Sequence, residues 1–161
     1  MITAGVDLGG RKAAISIYQD GVLTNVASAE LARSTRSREL RTLADWCFCY
    51  LRLADLVVVE EPLIGRGTQA SLQVAHTFGA VLATLGDTHT HTSVYTVPVA
   101  TWKKEVVGKG NANKEAVRMW LEETYPAYAV KCGGNQDRID AACIGLYGVQ
   151  LGHRATQLAE L

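Results

Sequence analysis

Four acidic side chains stand where an acid needs a reason. Asp7 closes the apolar run "AGVD", Glu60 follows "LVVV", and Asp137 and Asp140 lie three residues apart in "NQDRIDAACIGLYG". That last spacing puts two carboxylates on one face of a helix. Carboxylates gathered in a medium of low dielectric repel one another unless a cation neutralises them. A donor set made of oxygen alone suits Mg²⁺, with Mn²⁺ as its substitute, over zinc. Each acid also has an ordinary role open to it. Asp137 would cap a helix, since acids favour the first turn, and Asp7 would sit in a turn. Glu60 is hardest to explain that way. Glu61 follows it directly, so a register one residue later stays open beside the preferred Glu60.

A second group is basic. In "TWKKEVVGKGNANKEAVRMW", Lys103 and Lys104 precede a Gly-x-Gly loop that holds Lys109, and Lys114 follows it. A solvated charged face is the everyday reading. A glycine loop set between lysines also suits close approach to a phosphodiester backbone. Arginines 33, 36, 38 and 41 crowd the approach to a long helix and read as its solvated face, a DNA-binding strip being the narrowly less favoured alternative.

These residues need elements to carry them. Residues 2–8 and 13–18 read as strands, Asp20-Gly21 as a two-residue hairpin turn, and 22–28 as the returning strand. A helix over 38–54 has apolar residues at helical spacing. The unbroken run in "DLVVVEE" suits a strand buried on both faces. A helix over 68–85, a strand over 93–97 and helical segments near 99–107, 113–124 and 137–150 follow. The order predicts an α/β domain over residues 1–161 with a five-stranded mixed sheet, a three-strand antiparallel meander plus two further strands, flanked by helices. If the first and fourth strands are neighbours, Asp7 and Glu60 leave the sheet at one end. A helix starting near residue 137 and laid over that end would complete the set.

The helix over 68–85 carries two apolar stripes, Val74, Phe78, Val81 and Leu85 on one side and Leu72, Ala75, Gly79, Leu82 and Ala83 on the other. A surface helix needs one apolar face. The second is expected to meet a copy of itself across a two-fold axis, giving a homodimer.

Composition narrows the classes. The 161 residues carry 16 Lys plus Arg and 16 Asp plus Glu, so no global field draws the chain to nucleic acid or membrane, and only the distribution of charge can. No apolar stretch approaches a membrane span and the first residues lack a signal peptide's pattern, so a cytoplasmic protein is expected. Cys47, Cys49, Cys132 and Cys143 fit neither a zinc site nor a disulfide framework and read as reduced, mostly buried thiols. His89 and His91 in "DTHTHTS" read as a solvated loop, a metal role being the less favoured alternative.

"GVDLGG" resembles the opening of sugar kinases of the actin-like superfamily as well as that of ribonuclease H-like nucleases. The kinase needs two domains, and 161 residues suit one. Taken with "VVVEEP", "KKEVVGKGNANKEAV" and "DRIDAA", the chain resembles the RuvC family of Holliday junction resolvases over nearly its whole length. The lysine-flanked loop is the most specific of these segments. The resemblance implies a ribonuclease H-like fold and a homodimeric endonuclease making paired nicks in opposing strands of a four-way DNA junction. It implies two Mg²⁺ ions held by Asp7, Glu60, Asp137 and Asp140, with Lys103 and Lys114 as functional basic residues. Leu63 stands where the family places an aromatic that stacks on a junction base, and Arg138-Ile139 replaces small residues between the closing aspartates. Both departures are those of a divergent member, of the kind a bacteriophage carries. A ribonuclease H-like nuclease acting on RNA or simple branches, and a junction-binding protein with a dead site, are the rival readings.

Overall fold

The structure, a computed structural model, describes residues 1–63, 68–88 and 92–159. His89 and His91 lie outside the described residues. The chain opens with β1 (Ile2–Leu8), β2 (Lys12–Gln19) and β3 (Val22–Glu30), an antiparallel meander. Asp20 and Gly21 both take positive φ, 50° and 82°, the geometry of a tight hairpin turn. Helix α1 (Arg36–Leu51) leads to β4 (Leu56–Glu60), and α2 (Gln69–Thr88) leads to β5 (Ser93–Val97). The sheet order is β3-β2-β1-β4-β5, with β4 parallel to both β1 and β5.

Both faces of the sheet are covered. The period of two in β4 sends Val57 and Val59 into a core with Leu43, Cys47 and Leu51 of α1 and Val81 and Leu85 of α2. Val58 points the other way, into a core with Ile139 and Ile144 of α6 (Gln136–Ala159). That second layer also holds α3 (Val99–Trp102), which widens into a π-helical turn at Lys103–Val107, and α4 (Lys114–Thr124). Helix α5 (Pro126–Cys132) completes it and was not expected from the sequence. Its marks are Pro126 at the first helical position and Gly133 in the left-handed conformation at its end. Seven residues give too short a stripe for periodicity to reveal.

Contact between α6 and β1 is unusually close. A Cβ on Gly5 would lie 2.1 Å from the Gly145 nitrogen, and one on Gly145 would lie 2.4 Å from Ser16 Oγ. The Ser16 hydroxyl donates to the Ala141 carbonyl at 2.7 Å, and the Tyr18 hydroxyl donates to the Ala142 carbonyl at 2.7 Å, both in the interior. Two hydrogen bonds and a glycine contact therefore fix where α6 starts over the sheet.

Helix α2 is only partly two-faced. Val81 and Leu85 are buried, and Phe78 and Leu82 pack against the same core, so Leu82 belongs with the inward stripe rather than the outer one. Leu72, Gly79 and Ala83 remain exposed. Cys47, Cys132 and Cys143 are buried, Cys49 is exposed, and all four are free thiols. Among the described residues no helix is long and apolar enough to cross a membrane.

Candidate active site

Parallel pairing sets Val6 opposite Val59, so Asp7 and Glu60 come next in line at the same strand end. Helix α6, held by the Ser16 and Tyr18 bonds, brings Asp137 and Asp140 over them in its first turn and a half. Electrostatics records the convergence. The Asp7 carboxyl is pushed up to about 8 by burial first, then by the charges of Glu60, Asp140 and Asp137, with Lys12 opposing. Burial and the neighbouring Asp140 raise Glu60, against a bond from Trp102. Burial also raises Asp140, while Gln136, Lys103 and Lys114 work to lower it.

The same carboxylates are tied down by donors. The Trp102 Nε1–H donates to Glu60 Oε2 at 2.6 Å, and Gln136 Nε2 donates to Asp140 Oδ1 at 2.9 Å. Lys12 Nζ donates to both oxygens of Asp137, at 2.8 and 2.7 Å. Its stem lies across Gly9, where a Cβ would meet the lysine chain at 2.6 Å, which is why a glycine is needed there. Glu61 turns away. It accepts from the Thr96 hydroxyl on β5 at 2.9 Å, so Glu60 is the acid that acts with Asp7 and Asp140.

The donor chemistry fits a hard divalent cation, since the set is all oxygen and burial together with neighbouring carboxylates raises the proton affinity of Asp7, Glu60 and Asp140. Among the described residues, no three acidic, histidine or cysteine side chains stand close enough to hold a metal as arranged. As arranged, Asp137, Glu60 and Asp140 are bonded instead to Lys12, Trp102 and Gln136.

The basic group divides. Lys103 sits on the π-turn, donates to the Ala112 carbonyl at 2.8 Å, lies 5.5 Å from the Trp102 ring centre, and its charge reaches Glu60 and Asp140. Single π-turns inside helices are often functional features. Lys114 is the first residue of α4, just after the Asn113 cap, whose side chain accepts from the Ala116 N–H at 2.8 Å. A cation at a helix N-terminus opposes the dipole there, and this one acts on Asp140. Lys104 and Lys109 are exposed, and Leu63 is 74% exposed. Arg118 is paired with Glu115 at 2.6 Å and takes no part.

Solved structures share this architecture. RuvC of Thermus thermophilus aligns over 97% of this chain and 98% of its own, at 19% identity and a TM-score of 0.74. The same organism's RuvC in complex with a Holliday junction substrate aligns over 91% of both chains, at 21% identity and 0.75. The fold is that of RuvC. The fowlpox virus resolvase with Holliday junction DNA is more distant, at 16% identity, 94% and 98% coverage and 0.56. No protein-family profile and no curated protein sequence matches the chain. Within this RuvC-like, ribonuclease H-type fold, sequence reasoning missed Lys12, Trp102 and Gln136. Only "GGRK" and "TWKK" hinted at the first two, because a donor's partner across the fold leaves no local periodicity.

Proposed function

We propose that residues 1–161 form one RuvC-like nuclease domain that resolves four-way DNA junctions by paired nicks in two opposing strands, in recombination and repair. The convergence of Asp7, Glu60, Asp137 and Asp140 at one end of the sheet, with Lys103 and Lys114 beside them, carries the reading. The four carboxylates would hold Mg²⁺ or Mn²⁺, two ions per site by the family resemblance. The metal those carboxylates would hold would supply activation of a water and neutralisation of charge at the leaving 3′-oxygen of an in-line displacement. Trp102 holds Glu60 in one rotamer, and Gln136 does the same for Asp140. Lys12 neutralises Asp137, and its release frees both oxygens of that carboxylate. Lys114 faces the charge that builds on the scissile phosphate, and preorganised charge of that kind lowers a barrier most. Lys104 and Lys109 meet the flanking backbone.

The exposed stripe of α2, Leu72, Gly79 and Ala83, pairs with its copy across a two-fold axis and sets two sites against two strands. We place the protein in the cytoplasm, that of a bacterial cell or of the host for a phage protein. Leu63, exposed and aliphatic, lacks an aromatic's stacking face, which favours a looser choice among branched substrates. Labelled four-way, three-way and linear DNA incubated with Mg²⁺ or with EDTA test all of this. Symmetric paired cuts in the four-way junction with Mg²⁺ alone are expected. Cuts in RNA or linear duplex at equal rate would assign a different nuclease, and metal-independent binding without cutting a dead one.

A further inference from the structure

The turn between β1 and β2 faces two ways. Lys12 reaches Asp137, while Arg11, one residue earlier, lines a cavity of about 410 Å³ on the α1 and α2 side of the sheet. Arg33, Arg36, Glu39, Gln73 and His76 line it too. Its charge is unbalanced. Glu39 is buried and both its oxygens are taken, one by the Ser34 N–H at 3.0 Å and the other by Arg36 at 3.4 Å.

Arg36 is not the solvated residue that the sequence suggested. It clamps the fold, donating to the Gly10 carbonyl at 2.6 Å, to Thr77 Oγ1 at 2.9 Å and to the Gln73 carbonyl. Its Nε is buried and has no acceptor. Arg11 gives one nitrogen to the Leu31 carbonyl at 3.0 Å, and Arg33 is exposed without a partner among the described residues. The N-terminus of α1 opens nearby, with no side-chain cap on its first turn. Two guanidinium groups with free donors and a helix start without a side-chain cap thus border a space whose one carboxylate, Glu39, is already bonded.

We propose that this cavity seats one backbone phosphate of the bound DNA. The assignment rests on the nuclease reading above. Guanidinium groups match phosphate oxygens in geometry and charge, and a helix N-terminus adds its partial positive charge. Arg11 and Lys12 share the turn at the sheet end where Asp7 and Glu60 emerge, so a strand laid across that end meets both sides of the turn. The site would fix the register of the strand on the protein without reading its sequence.

The test is the salt dependence of four-way junction affinity, measured by fluorescence anisotropy in EDTA over a range of KCl. Arg11→Gln with Arg33→Gln should flatten the log–log slope by about 0.9, the value for one phosphate contact. Arg38→Gln with Arg41→Gln removes equal charge from the exposed face of α1, where Arg41 pairs with Asp45 at 3.8 Å, and should leave the slope unchanged. Equal flattening by both pairs would reduce the cavity to bulk charge and overturn the assignment. So would an Arg11/Arg33 variant with the wild-type slope, while the nuclease reading stood. Wild-type protein with no affinity for any DNA would overturn both. Inorganic phosphate that raises the melting temperature through Arg11 and Arg33 while the slope stays put would mark an isolated anion site, and the DNA assignment would fall.

Discussion

Asp7→Asn should make the metal-free protein more stable, and by an amount that grows with pH. An aspartate in an unfolded chain loses its proton near 3.9, whereas Asp7 in the folded chain holds its proton up to about 8. Between those values the folded state binds more protons than the unfolded one, so stability falls as pH rises. Each unit is worth about 1.36 kcal/mol. The full window of about 4 units comes to ~5.6 kcal/mol, a large share of the roughly 5–15 kcal/mol that holds a domain together. Asparagine has no proton to lose and escapes this. Raising the pH from about 6 to about 8, where half the folded molecules have lost the proton, should then widen the gap between variant and wild type by ~2.3 kcal/mol. For a chain of 161 residues, that is a difference in melting temperature of roughly 5–9 °C. Calorimetry in EDTA at three pH values reads it directly. Excess Mg²⁺ or Mn²⁺ should narrow the gap by stabilising the wild type alone. A gap that stays flat across the window would mean that Asp7 is already ionised, and the account of mutual repulsion would be wrong.

Four further outcomes follow from the same geometry. Asp7→Asn and Glu60→Gln should each abolish cleavage while leaving junction binding intact or tighter in a mobility-shift assay, whereas Glu61→Gln, whose side chain faces Thr96, should still cut. Lys114→Ala should slow single-turnover cleavage about a hundred- to a thousand-fold, roughly 2.7–4 kcal/mol, with little change in affinity; equal modest losses in both would make it an ordinary phosphate contact. Gly5→Ala drives a methyl group into the Gly145 backbone and should cost about 1–3 kcal/mol or more in denaturant unfolding, and a wild-type midpoint would refute the close packing of α6. Gly79→Glu, at a position with open space around it, should leave the fold intact and give monomers in sedimentation, and an unchanged dimer would place the interface elsewhere.

Much of the frame was legible because its signals are local. Asp20-Gly21 names a hairpin by backbone chemistry alone, and the alternation of Val57, Val58 and Val59 between two cores is the reason the run is apolar throughout. Asp7 and Glu60 were legible as strand ends that strand order brings together, whereas Asp137 and Asp140 join them only through the seating of α6. What the sequence hid is made of contacts between distant side chains. Nothing near Lys12 announces Asp137, and nothing near Trp102 announces Glu60. Arg36 looked solvated because an exposed run of arginines gives no sign that one of them reaches the Gly10 and Gln73 carbonyls.

The bond from Ser16 to Ala141 spans 125 positions, and it is one of the two that seat α6 on the first strands. Contacts of such long range must close a large loop before they repay its entropy, and chains rich in them fold slowly. Asp7 and Glu60 precede Asp137 and Asp140 by many residues, so during synthesis the chain carries the first pair for a time without the other half of the acidic set. A nascent chain at that stage has two carboxylates and no helix to bring the rest. It can hold neither a full complement of ligands nor a substrate strand in place. For the nuclease proposed above, this order delays any competence to cut until that distant loop closes.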